Sequence, residues 1–178
     1  DRLPIGDILH RREVKSLFAA CFFMSAAHGA LYVFYSIYLV SHGYGTTMVG
    51  FLWTLGVVAE IVVFLYLPRL LHIFRLRTIL LFSFACAVAR FLMIGWGVEW
   101  LWIVHVAQVL HAATFGAYHA ASVAAVNRWF SGRHQARGQA LYGSISFGAG
   151  GMLGGLVSGW TWDVLGAELT YSLSSAFA

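Results

Sequence analysis

Charged side chains are scarce in this 178-residue chain, and their scarcity excludes most soluble folds. Only 10% of the residues are Asp, Glu, Lys or Arg, whereas 60% are hydrophobic and the mean hydropathy is +0.77. Soluble globular domains carry about 25% charged residues. The composition therefore predicts an integral membrane protein whose main surroundings are the lipid bilayer.

The chain also lacks the residue groups that mark disulfide scaffolds, redox sites and covalent enzymes. Its two cysteines, Cys21 and Cys86, lie in apolar runs, and we interpret them as small buried hydrophobes. No phosphate-binding loop, nucleophile elbow or paired-carboxylate motif is present. The basic residues form short, separated clusters, which do not indicate a nucleic-acid partner. We expect no enzyme and no bound cofactor or metal.

What the chain does contain is a series of long hydrophobic runs. A helix needs about 20 mostly apolar residues to cross the hydrocarbon core, and the runs lack the alternation of barrel strands. Five runs qualify: Leu17–Val40, Thr47–Leu67, Thr78–Trp96, Trp100–Val126 and Ala140–Trp160. A sixth run begins near Leu169 and reaches Ala178 before it is long enough to cross. We predict an all-α bundle of transmembrane helices.

The basic residues predict how the bundle is oriented. Ten of the eleven lie before the first run, between the second and third, or between the fourth and fifth; they are Arg2, Arg11, Arg12, Lys15, Arg69, Arg75, Arg77, Arg128, Arg133 and Arg137. These segments all fall on one side of the membrane, and the positive-inside rule assigns that side to the cytoplasm. The N-terminus is therefore expected to be cytoplasmic.

Two charged residues lie inside hydrophobic runs, where a charge requires a partner, a water-filled cavity or a function. A charge at mid-bilayer costs at least about 3 kcal/mol. Glu60 lies in the second run and Arg90 in the third, and at about 1.5 Å per residue His111 of the fourth run lies at a depth between them. A relay from Glu60 through His111 to Arg90 is thus possible, although a plain salt bridge that pins two helices is the alternative.

The fourth run carries a polar stripe. At about 100° per residue, His105, Gln108, His111 and His119 fall within about 120° of arc, and Thr114 and Tyr118 extend it. Such a stripe predicts a bundle interior or an aqueous cavity. His105 and His119 lie near the interfaces, where solvated histidines are common, whereas His111 is deep, as is His28 in the first run. The histidine spacings do not match a metal-binding motif.

Glycines are concentrated in the fifth run. The pairs Gly150/Gly154, Gly151/Gly155 and Gly155/Gly159 form overlapping small-xxx-small patterns, which allow helix backbones to approach closely. We interpret the pattern as close helix packing, either static or between helices that slide.

These segments together resemble the C-terminal half of a major facilitator superfamily transporter, spans seven to twelve. The resemblance lies in LPRLLHIFRLRTILL, similar to the short basic loop of that family, and in RGQALYGSISFGAGGMLGGLVSGWTWDVLG, similar to its eleventh span. It implies that residues 1–16 are the cytoplasmic tail of a central loop and 17–178 a six-helix half-bundle whose last helix is incomplete. The start at Asp1, without Met or a signal peptide, agrees with a fragment.

Within the superfamily the sequence is similar to the lactose-permease-like proton symporters, and more narrowly to the phenylpropionate porter group, through YVFYSIYLVSHGYGTTMVGFLWTLGVVAEI. That pattern couples protons through a Glu, an Arg and a His, which fall here on Glu60, Arg90 and His111. The family has a second carboxylate three residues after the His, where this sequence has Thr114. Glu60 would therefore carry the proton alone or with His111.

The resemblance implies an alternating-access transporter that couples protons to uptake of a small organic solute, such as the aromatic carboxylate phenylpropionate. The expected substrate-binding residues are Arg90, Gln108, Thr114, His28, Tyr32 and Tyr35. The expected partners are the N-terminal half of the same transporter, the solute and protons, in a bacterial inner membrane. A sugar or nucleoside is the alternative solute. A non-transporting membrane subunit and an intramembrane metalloenzyme are the alternatives from other classes.

Overall fold

The computed structural model describes residues 4–178, and nearly all of them are helical. Residues 1–3, and with them Arg2 of the predicted basic cluster, lie outside the described part. The α-helices are α1 (Ile5–His10), α2 (Arg12–Ala27), α3 (Gly29–Ser41), α4 (Thr46–Ile73), α5 (Leu76–Gly97), α6 (Leu101–Val109), α7 (Tyr118–Trp129), α8 (Gln135–Gly143), α9 (Gly151–Leu165) and α10 (Ala167–Phe177). Two π-helical segments, Ala112–Ala117 and Ser144–Gly150, join α6 to α7 and α8 to α9. Residues 4–178 contain no β-strand.

Within residues 4–178, five helical stretches are long and apolar enough to cross a membrane, which confirms the predicted all-α transmembrane bundle. They are the first to fifth spans, Arg12–Ser41, Thr46–Ile73, Leu76–Gly97, Leu101–Trp129 and Gly132–Leu165. Each is longer than its hydrophobic run, since a helix can continue through polar residues after the apolar run has ended. The first span thus begins at Arg12 instead of Leu17, and α10 begins at Ala167 instead of Leu169.

Three of the spans are not regular α-helices along their whole length. The first span is interrupted at His28, where the Met24 carbonyl accepts the His28 backbone N–H at 3.2 Å and lies 2.8 Å from its ring Nδ1. The fourth and fifth spans each change to π-helix near their middle. A π-helix has i→i+5 hydrogen bonds, so the residues that follow it are rotated from their positions in a regular α-helix.

The first and fifth spans approach so closely that glycine is required on both. A Cβ at Gly29 would lie 2.6 Å from the Gly154 carbonyl oxygen, and a Cβ at Gly154 would lie 2.6 Å from the Ala26 Cα. Gly155 and Gly159, on another face of the same helix, would meet nothing within 4 Å. The glycine-rich pattern therefore serves close packing on one face and leaves the other face open.

The second span lies at the edge of the described bundle. Its apolar side chains Val57, Val58, Ile61 and Leu65 are between 49% and 72% exposed. Buried side chains concentrate instead between the first, third and fourth spans, where Met24, Leu31 and Phe91 are fully buried. In a membrane the exposed face of the second span would contact lipid or another part of the protein.

Candidate functional site

The two ionisable residues predicted to share a proton lie side by side in the structure. His111 of the fourth span places its Nε2 at 3.6 Å from Oε2 of Glu60 on the second span. The His111 side chain is 9% exposed and that of Glu60 16%, so both are shielded from bulk solvent. Two partly buried groups at this distance can pass a proton between them with a small movement of either side chain.

Two glycines allow the second and fourth spans to meet at this pair. A Cβ at Gly56 would lie 3.2 Å from Nε2 of Gln108 and 3.4 Å from Cδ2 of His111, and a Cβ at Gly116 would lie 3.0 Å from Cγ of Glu60. The distances of 3.2 Å and 3.0 Å are tighter than ordinary van der Waals contact. Nothing in the sequence marks Gly56 or Gly116 as part of a site, since isolated glycines in a membrane helix are common.

Arg90 lies at the centre of a separate hydrogen-bond network. It is fully buried, and its guanidinium donates from Nε to the Ala107 carbonyl oxygen at 3.0 Å, from Nη1 to Oγ1 of Thr114 at 3.0 Å and from Nη2 to Oε1 of Gln108 at 3.2 Å. Gln108 in turn donates from its Nε2 to the Leu52 carbonyl oxygen at 2.9 Å. One side chain thus connects the third span with the fourth, and through Gln108 with the second.

The network contains no acid, and it does not continue into the Glu60–His111 pair. Among residues 4–178, Arg90 forms no ion pair and no hydrogen bond to the His111 ring, whose buried Nδ1 has no hydrogen-bond partner there. The expected relay from Glu60 through His111 to Arg90 is therefore interrupted between His111 and Arg90 in this conformation. The Arg90 network and the Glu60–His111 pair instead use neighbouring positions of the fourth span, because Gln108 and Thr114 lie on either side of His111 in the sequence.

The three residues selected on the first span have different surroundings. His28 is 3% exposed, and its ring packs edge-on against Phe91 with 5.1 Å between the centroids. Tyr35 is fully buried against Trp53, and its hydroxyl has no partner among the described residues. Tyr32 is 52% exposed, with its ring 5.9 Å from that of His28. His28 and Tyr32 are thus close together, whereas Tyr35 packs between the first and second spans.

A cavity of about 140 Å³ lies between the first, fourth and fifth spans. His28 and Tyr32 line it from the first span, Phe115 and Tyr118 from the fourth, and Phe147 and Gly155 from the fifth. Glu60, Arg90, His111, Gln108, Thr114 and Tyr35 are not among its lining residues. Phe115 connects this cavity with the Glu60–His111 pair, because its ring also stacks on the His111 ring at 5.5 Å between centroids.

The cavity residues Phe115, Phe147 and Gly155 were not selected by sequence analysis as site residues. The sequence contained one indication of Phe115, which lies four residues from both His111 and His119 and therefore on the same face of the helix. In the structure its ring stacks on both histidine rings. His119 also lies 2.9 Å, through its Nδ1, from the hydroxyl of Tyr142 on the fifth span. Residues 4–178 contain no group of three or more His, Cys, Asp or Glu side chains that could hold a metal ion.

Comparison with known proteins places these features in a family. The family model described as the MFS_1 like family matches residues 5–173. Over 161 residues, which are 89% of the chain, the sequence is 33% identical to a protein of Escherichia coli (strain K12) named "Probable 3-phenylpropionic acid transporter". The chain spans 41% of the length of that relative. No solved structure matches the chain.

The family match covers nearly the whole chain, and the five membrane-spanning helices agree with it. The sequence resemblance to the major facilitator superfamily is thereby confirmed. This chain is a multi-pass membrane protein that belongs to the MFS_1 like family.

Proposed function

We propose that the chain is part of a secondary transporter that couples proton entry to uptake of an aromatic carboxylate such as 3-phenylpropionate. The observation that carries the proposal is the Glu60–His111 pair, 3.6 Å apart across two spans and largely shielded from solvent. Ionisable residues inside a bilayer are costly and usually mark a proton or substrate pathway. The relative's printed name supports the solute class.

In this proposal Glu60 carries the transported proton and His111 is its immediate partner. When Glu60 is ionised, it can accept a charge-assisted hydrogen bond from Nε2–H of a neutral His111, which holds the second and fourth spans together at this point. When Glu60 takes up a proton and His111 stays neutral, only a weaker hydrogen bond between two neutral groups remains. A proton at this position therefore changes how firmly two neighbouring spans are held, which is what coupling requires.

Arg90 is proposed to hold the fourth span in register and to offer its charge to the substrate carboxylate in another conformation. Three of its five N–H groups donate in this structure, so a carboxylate would bind the remaining two or take the place of Gln108 or Thr114. That exchange is favourable, since a carboxylate accepts a stronger, charge-assisted hydrogen bond from guanidinium than an amide or hydroxyl does. Alternating access would supply the second conformation.

The proposal includes the rest of the protein. Residues 17–178 are proposed to form the second of two half-bundles, and the N-terminal half would cover the open face of the second and fifth spans. The span ends and connections that carry Arg69, Arg75 and Arg133 would face the cytoplasm of a bacterial cell. The substrate site would lie between the two halves, near the middle of the bilayer.

Glu60→Gln is expected to abolish proton-driven accumulation of 3-phenylpropionate, to the level of liposomes without protein. Exchange of labelled for unlabelled substrate at equal concentrations should continue, because the amide imitates the protonated carboxyl and exchange moves no net proton. The measurement uses the full-length protein in proteoliposomes with an imposed pH gradient. The matched control is Glu99→Gln, which removes a carboxylate from an exposed loop between the third and fourth spans.

Three outcomes would contradict the proposal. Unchanged accumulation in the Glu60→Gln variant would remove Glu60 from coupling, and a loss that affects only thermal stability would favour a non-transporting subunit. Uptake of sugars or nucleosides in place of aromatic acids, measured by competition against the labelled acid, would keep proton coupling and change the solute class.

A further inference from the structure

We propose that in this conformation, in which Arg90 is engaged with Gln108 and Thr114, the cavity between the first, fourth and fifth spans holds the single aromatic ring of the substrate and His28 binds its carboxyl group. The inference rests on the proposed function and adds to it a location, a limit on ring size and a polar contact. Neither His28 nor the cavity-lining residues Phe115, Phe147 and Gly155 belongs to the Glu60–His111 pair or to the Arg90 network.

The size and lining of the cavity fit one ring. An apolar cavity of about 150 Å³ accommodates one benzene molecule, and this cavity has a volume of about 140 Å³. The lining includes the rings of Tyr32, Phe115 and Phe147, and aromatic rings favour edge-on or offset contacts with another ring. Tyr32 is 52% exposed, so the cavity communicates with the surface on that side. A bicyclic ring system would exceed the available space.

His28 supplies the polar group that an aromatic acid requires. Its Nδ1 lies 2.8 Å from the Met24 carbonyl oxygen, which can only accept, so Nδ1 carries a hydrogen. Nε2 is therefore the free nitrogen of the ring, and it is buried without a hydrogen-bond partner among residues 4–178. A buried polar atom without a partner is costly. A carboxyl group brings the missing partner if the substrate takes up one proton from solution and binds as the neutral acid, because its O–H then donates to Nε2.

The position of Phe115 relates ring binding to the proton pair. Phe115 lines the cavity, and its ring lies nearly parallel to that of His111, at 6° and 5.5 Å. His111 in turn contacts Glu60. An aromatic ring that enters the cavity would therefore press on the side chain that fixes the orientation of His111. Phe115 is thus the one side chain that links the proposed ring site to the Glu60–His111 pair.

Filling the cavity from its wall tests the location directly. In Gly155→Leu the new side chain would grow into the cavity, because a Cβ at Gly155 meets nothing within 4 Å. The matched control is Gly159→Leu, one helical turn further along the same helix, where a Cβ also meets nothing within 4 Å but the residue does not line the cavity. The measurement is the apparent KM for 3-phenylpropionate with the full-length protein in proteoliposomes.

We expect Gly155→Leu to raise the KM at least about tenfold, the usual effect of misfitting an apolar group in a pocket, and Gly159→Leu to leave it within about twofold. His28→Phe, which keeps a ring at this position and removes the nitrogens, should also raise the KM about tenfold or more, as expected for a site that loses a hydrogen bond to its substrate. Phe147→Ala should admit naphthyl acids as competitors that the wild type rejects.

The outcomes separate this inference from the proposed function. If the wild type transports 3-phenylpropionate and Gly155→Leu changes the KM no more than Gly159→Leu does, the ring binds elsewhere and the inference is overturned. Naphthyl acids that compete equally well in the wild type would also overturn it. If the wild type transports no aromatic acid, the proposed solute class fails, and the ring site fails with it.

Discussion

Replacing Arg90 by leucine is expected to lower the free energy of unfolding by about 2–5 kcal/mol and to abolish uptake. The substitution leaves acceptors on Ala107, Gln108 and Thr114 without their donor in a water-free interior. Each hydrogen bond within a membrane contributes about 0.6–2 kcal/mol, and the shorter side chain also leaves a void. Denaturation of the full-length protein in detergent micelles, followed by helical circular dichroism, measures the stability.

A compensating variant separates the structural role of Arg90 from its functional role. In Arg90→Leu/Gln108→Leu/Thr114→Val the donor and both side-chain acceptors are removed together, and replacing a complete buried polar group by apolar residues is often neutral for stability. We expect most of the lost stability to return while uptake stays absent. A single Arg90→Leu variant as stable as the wild type would show that the network does not hold the spans together. Uptake by the triple variant would show that the charge is not needed.

The number of spans and the Glu60–His111 contact could be anticipated from the sequence for simple physical reasons. Hydrophobic runs report the thickness of the bilayer, so the five spans follow from length and composition. Depth along a helix is counted in steps of about 1.5 Å, which placed Glu60 and His111 at similar heights. Contact also requires that the two side chains face each other, and that condition depends on helix rotation, which depth does not report.

The partners of Arg90 and the cavity illustrate what the sequence could not provide. Depth suggested His111 as the partner of Arg90, whereas the structure pairs it with Gln108 and Thr114 on the same helix. The fourth span is π-helical over Ala112–Ala117, which alters the direction of the side chains in this segment and after it. Nothing in the composition of AATFGA marks that change. A helical wheel with a constant angle per residue therefore becomes unreliable beyond Ala112.

Gly154→Ala is expected to destabilise the protein by about 1–3 kcal/mol, a large effect for one methyl group. The new Cβ would lie 2.6 Å from Cα and 2.7 Å from the carbonyl carbon of Ala26, which are backbone atoms of the first span. Backbone cannot move aside as a flexible side chain does, so the first and fifth spans must separate. Extra atoms forced into a packed interior typically cost about 1–3 kcal/mol. Thermal unfolding of the full-length protein in detergent measures the change.

The neighbouring glycine provides the control, because Gly155→Ala adds the same methyl group where nothing lies within 4 Å. Alanine is a better helix former than glycine by about 1 kcal/mol, so this variant should be as stable as the wild type or slightly more stable. Opposite signs at adjacent positions can arise only if one face of the helix is packed against backbone and the other is open. Equal effects at Gly154 and Gly155 would mean that the first and fifth spans do not meet at Ala26, and the cavity beside them would lose one of its walls.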